Sequence, residues 1–114
     1  MTRRAAFLCT LAVLSCAAAA HDYPTVERVL YVEACVRDHP DRNHQEMIYK
    51  CSCAIDSIAQ RFTYDEFVEG ATALYAGQAA GERGTMVRES ETGRELANAF
   101  REVQKEAFQK CLIQ

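Results

Sequence analysis

No run in this sequence is long enough to cross a bilayer. Its longest uncharged apolar stretch, Ala5 to Leu14, covers about half of the roughly 20 residues that a spanning helix needs. No segment alternates apolar and polar residues in the manner of a strand, which argues against a sheet-built fold. Glycine and proline are scarce, at 5 and 2 residues in 114, and no low-complexity linker, internal repeat or charge block divides the chain. The chain also lacks Gly-x-Ser-x-Gly, His-Glu-x-x-His, a phosphate-binding glycine loop and the calcium loop of an EF-hand. Gly81-Glu82-Arg83-Gly84 is too short and too charged for a phosphate loop. It reads as a turn, with anion capture by its amides and Arg83 as the alternative. No catalytic constellation remains, and an enzyme is not expected.

What is present begins with an export signal. Thr2-Arg3-Arg4 supplies a basic start, Ala5 to Leu14 an apolar core, and Ala17 to Ala20 the small residues that a signal peptidase cleaves behind. Val13-Leu14-Ser15-Cys16 loosely resembles a lipoprotein cleavage box. Leu14 fits that box poorly, so cleavage after Ala20 is expected, leaving 21–114 as one domain. The periplasm is the expected destination. Loss of Arg3 and Arg4 lowers the 13 basic residues to 11 against 16 acids, a mature net charge of −5. Such a chain suits cations and disfavours nucleic acid and anionic lipid.

The mature chain reads as all-α, a small bundle of about four helices. Residues 25–37 form the first, apolar on nearly every side and ended by His39-Pro40-Asp41. Asn43, three residues before Glu46, caps a second helix to about Arg61. Thr63 to Glu66 is a capping box for a third, ending near Gly77, and Gln78 to Ser90 reads as a loop with at most a short helical turn. Thr92 to Glu95 repeats the box spacing and opens a last helix to about Cys111.

Four cysteines survive cleavage: Cys35, Cys51, Cys53 and Cys111. An even number in an exported chain reads first as disulfides. On a helix, residues two apart point roughly 200° apart. Cys51 therefore sides with Met47, Ala54, Ile55, Ile58 and Phe62, while Cys53 faces the other way. The two thiols cannot share one metal ion or bond to each other without unwinding the helix. Each needs a distant partner. Facing favours Cys51–Cys111 with Cys35–Cys53, because Cys111 shares a face with Leu96, Phe100, Val103 and Ala107. Hairpin register favours Cys35–Cys51 with Cys53–Cys111. Both pairings stay open, and a thiol–disulfide redox couple at Cys51 and Cys53 is the competing use of these residues.

Two groups of acids are candidate metal ligands. Asp65, Glu66 and Glu69 lie within one turn, and Glu91 and Glu95, with Glu89, surround the start of the last helix. Hard cations want several carboxylate oxygens, although acids at helix starts also serve caps and the helix dipole. One enclosed site requires the bundle to bring both groups together; otherwise a metal linking two copies as a homodimer is expected. His39 and His44 flank the first turn and read more simply as solvated side chains than as ligands.

The runs Lys50-Cys51-Ser52-Cys53-Ala54-Ile55-Asp56, Tyr64-Asp65-Glu66-Phe67-Val68-Glu69 and Gly81-Glu82-Arg83-Gly84 resemble the landiscernin-like family. These are small exported lanthanide-handling proteins of methylotrophic bacteria that use quinoprotein alcohol dehydrogenases. The likeness spans Cys35 to Cys111 and carries no ligand motif, so it transfers no functional residue. It implies lanthanide binding in the periplasm, in company with a second metal carrier or a metal-dependent dehydrogenase system. A helical interaction protein without metal, a chaperone or enzyme accessory, is the alternative.

Overall fold

The computed structural model describes residues 23–114; the expected signal segment and cleavage point lie outside them. Five helices follow in order: α1 (Thr25–Arg37), α2 (His44–Ala59), α3 (Tyr64–Gln78), α4 (Glu82–Glu89) and α5 (Glu91–Lys110). The described residues form no strand, and none of their helices is long and apolar enough to cross a membrane.

The caps explain most boundaries. The Asn43 side chain accepts the Glu46 amide at 2.9 Å, and Thr63 with Glu66 forms the full capping box. The expected box at Thr92 to Glu95 is not used. Ser90 instead accepts the Gly93 amide and starts α5 at Glu91. The stretch expected as loop holds a complete helix, α4, entered through Gly81 at φ 82°, a left-handed conformation natural to glycine. Arg88 folds back from α4 and donates to the Gly77 and Ala79 carbonyls at 2.6 and 3.2 Å. It thereby satisfies the carbonyls left open at the end of α3.

α2 is the central element. It packs on α1 along one side and on α5 and α3 along others, so Met47, Cys51, Ala54, Ile55, Ser57, Ile58 and Ala59 are all buried. α3 and α5 run antiparallel, because Gly70 meets Phe100 while Gly77 and Gly93 both meet Val87. A Cβ on Gly70 would stand 3.0 Å from the Phe100 ring and Cβ, so this glycine lets the two helices close. Phe100 anchors the core, with Phe62 and Phe67 beside it.

The disulfides are Cys35–Cys51 and Cys53–Cys111, with Cα atoms 6.0 and 5.8 Å apart. Register, not facing, decides the pairing. With both flanks of α2 covered, Cys51 meets α1 and Cys53 meets the end of α5. In the chain-entropy picture, closing loops of 16 and 58 residues stabilises by about 3 and about 4 kcal/mol.

Candidate functional site

The first group of acids sits on the opening turn of α3, and all three residues are exposed. Glu66 is committed locally: its carboxylate accepts from the Thr63 amide at 2.8 Å and the Thr63 hydroxyl at 2.9 Å. Asp65 and Glu69, one turn apart on the same helix, face solvent. The second group, Glu89, Glu91 and Glu95, is also exposed and spans the α4–α5 junction. Antiparallel packing sets the groups apart. The start of α3 lies beside the middle and end of α5, and the start of α5 lies beside the end of α3. From Glu69, next to the Gly70–Phe100 contact, to Glu95 the gap is about six residues of helix, roughly 9 Å along the axes, and the other members lie further apart. Among the described residues no group of three or more His, Cys, Asp or Glu side chains converges as a metal site would require.

The histidines and hydroxyls are spoken for or scattered. His39 Nδ1 lies 2.8 Å from the Cys35 carbonyl, and its ring stands against Phe108. His44 is exposed at the start of α2. Ser52 donates back to the Ile48 carbonyl at 2.7 Å, and buried Ser57 faces the Cys111 sulfur at 3.8 Å. Cys51 is fully buried and Cys35 and Cys111 nearly so, which leaves the half-buried Cys53 as the most accessible of the four cysteines. An exchanging pair needs an accessible sulfur. A small polar hollow of about 260 Å³ lies between α1, α3 and α5, lined by Tyr31, Asp38, His39, Gln78 and Gln104 among others. Tyr31 accepts the Gln104 amide there at 3.2 Å, and burial pushes its phenol up to about 12.

A groove of about 840 Å³ lies between α1 and α2, and sequence reasoning missed it. Its walls are Val29, Val32, Val36, Ile48 and Ile55, and it runs from the Arg28–Asp56 ion pair to Pro40 and His44. The signal for it was in the sequence. A helix that is apolar all round is one covered all round, yet the backbone of α1 comes close to α2 alone among the described helices, and α1 reaches α3 and α5 through side chains such as Tyr31. Val26, Val29 and Leu30 remain 60, 57 and 51 % exposed.

No protein-family model, curated protein or solved structure matches this chain. The chemistry on offer is therefore that of its own surface: carboxylates that can take up cations, and an apolar groove that can take up a partner.

Proposed function

We propose that this chain is a non-catalytic, disulfide-stapled periplasmic protein that binds lanthanide ions in the course of their trafficking. The reading is supported by the mature charge of −5, by the family resemblance, and by carboxylates free of ion pairing at Asp65, Glu69, Glu91 and Glu95. The single observation that carries it is the exposed one-turn pair Asp65 and Glu69, two hard oxygen donors on one helix face. The separation of the two acidic groups gives the binding its form. One group supplies too few oxygens to enclose a large ion, so the ion is held at an open site and completed by a second copy or by a carrier that receives it. Lanthanum titration against calcium at neutral pH, by calorimetry or native mass spectrometry, tests the proposal. Lanthanum should bind saturably to the oxidised protein, and Asp65→Asn with Glu69→Gln should weaken it at least about tenfold. Affinity should also fall on acidification, because protons compete with the ion for its carboxylate ligands. Absence of saturable lanthanum binding overturns the proposal; unchanged affinity in the double variant moves the site.

The second reading is an accessory that binds a protein partner without metal. The uncovered groove between α1 and α2 favours it, since a three-turn apolar trough is the shape that receives a helix. Survival of partner binding in chelator would separate it from the first.

A further inference from the structure

The polar hollow between α1, α3 and α5 has a sign. Asp38, Tyr75 and Gln78 stand exposed at its rim, half-buried Tyr31, Gln104 and Phe108 lie further in, and among the described residues no lysine or arginine lines it. Asp38 caps the C-terminus of α1. That is the negative end of the helix dipole, where a carboxylate is unfavourable and a cation is favoured. Among the described residues Asp38 takes part in none of the ion pairs, which are Arg28–Asp56, Glu46–Lys50 and Arg61–Glu106. Arg37, the basic residue of the last turn of α1, lines the α1–α2 groove instead. The carboxylate stands near a phenol: burial pushes the Tyr75 hydroxyl up, and the Asp38 charge pushes it further.

The neutral groups add acceptors. The Gln104 amide nitrogen is used on Tyr31, which leaves the Gln104 carbonyl oxygen to accept. His39 Nδ1 faces the Cys35 carbonyl, and a carbonyl only accepts, so Nδ1 carries the proton and the neutral ring keeps Nε2 as an acceptor.

This combination selects a class of ligand. An anion would meet the Asp38 charge with no cation to offset it. A hard metal ion wants several oxygen donors, yet one carboxylate lines the hollow and no group of three ligand side chains converges among the described residues. An organic ammonium ion needs less: one counter-charge, a few acceptors for its N–H groups, and aromatic surface for its alkyl part and its charge. Size narrows the class. The hollow's volume of about 260 Å³ equals roughly eight or nine waters at about 30 Å³ each, room for an amine of a few carbons.

We infer that the hollow between α1, α3 and α5 binds a small primary ammonium ion, with Asp38 as counter-charge, Gln104 and His39 as acceptors, and the rings of Tyr31, Tyr75 and Phe108 around the alkyl part. The site depends on neither the lanthanide reading nor the α1–α2 groove.

The experiment is a titration of the oxidised mature protein with propylammonium chloride at neutral pH, in an amine-free buffer with a chelator, followed by amide NMR spectra. Saturable shifts are expected at about millimolar ligand or below, centred on residues 31–39, 74–78 and 104–108. Propan-1-ol and propionate, close to it in size, should not saturate over the same range. Asp38→Asn should weaken binding at least about tenfold while melting and circular dichroism stay native, since asparagine suits a helix C-terminus. Tyr75→Leu, at an exposed position, should weaken it about threefold. The double variant Asp65→Asn with Glu69→Gln should bind propylammonium as the native protein does. Absence of saturable shifts overturns the inference, as does unchanged affinity in Asp38→Asn or equal binding of propan-1-ol. Shifts centred on Asp65 and Glu69 that vanish in their double variant also overturn it, because they report only the attraction of cations to an acidic surface.

Discussion

Tyr23 stands close behind the expected cleavage point, yet only 2 % of it is exposed. Its hydroxyl donates to the Phe62 carbonyl at 2.9 Å, and its ring packs on Tyr64 and Phe67. Burial pushes its phenol from the ordinary 10.0 up to about 12, and Tyr31 is raised likewise. Both proton affinities are higher folded than unfolded. Their contribution is therefore complete below about pH 10 and declines as pH rises towards 12, because the unfolded chain loses these protons first. Melting followed from pH 8.5 to 11.5 should show a falling midpoint, and Tyr23→Phe combined with Tyr31→Phe should flatten that fall. At the other end, Leu112 holds φ 58°, a left-handed conformation that costs a branched residue about 1 kcal/mol. It does so to let the Ile113 amide reach the Phe108 carbonyl at 2.9 Å and to bury Ile113, the Schellman arrangement. Leu112→Gly should accordingly raise stability by roughly 0.5 kcal/mol, after the entropy that glycine adds to the unfolded chain. Urea unfolding checks it, and a lowered midpoint would count against the strained turn. Neither residue was legible in the sequence: one sits beside the expected leader, the other beyond the last helix, where no period reaches.

Helix existence was legible, and the boundaries were mostly so. Asn43 and Thr63 behave as capping chemistry requires, since their side chains act on amides two or three residues away and need nothing distant. Thr92 failed because Ser90, two residues earlier, caps the Gly93 amide and starts the helix at Glu91, which leaves Thr92 inside its first turn. α4 was hidden for a different reason. Its hydrophobic period is weak, and it is held by Arg88 bonding to the end of α3, a contact between elements. The tightest demand among elements is Gly70 against Phe100. Gly70→Ala gains up to about 1 kcal/mol of helix propensity but forces α3 from α5 at a cost of about 1–3 kcal/mol. The expected outcome is a net loss in urea unfolding. A gain would mean that the helices can part without disturbing Phe100.

For the whole molecule, the staples matter most, because fewer than 100 residues bury a limited core. Removing Cys53–Cys111 should cost about 4 kcal/mol and removing Cys35–Cys51 about 3 kcal/mol, in paired Cys→Ala variants compared by urea unfolding. Peptide mapping without reductant should link Cys35 to Cys51 and Cys53 to Cys111; a major Cys51–Cys53 product would contradict the fold. The sequence alone determined that this chain is helical, that Cys51 and Cys53 point apart and cannot bond to each other, and that Met47, Ile55, Ile58 and Phe100 belong to the core. Those are consequences of the 100° step between residues, which acts locally. Only the tertiary structure decided which cysteine meets which, because that depends on α2 being covered from two sides. It alone set the acids of α3 and α5 at opposite ends of an antiparallel pair, and it alone left one face of α1 open beside Ile48 and Ile55. Helix periodicity says which faces are apolar; only packing says which of them finds a neighbour within the chain.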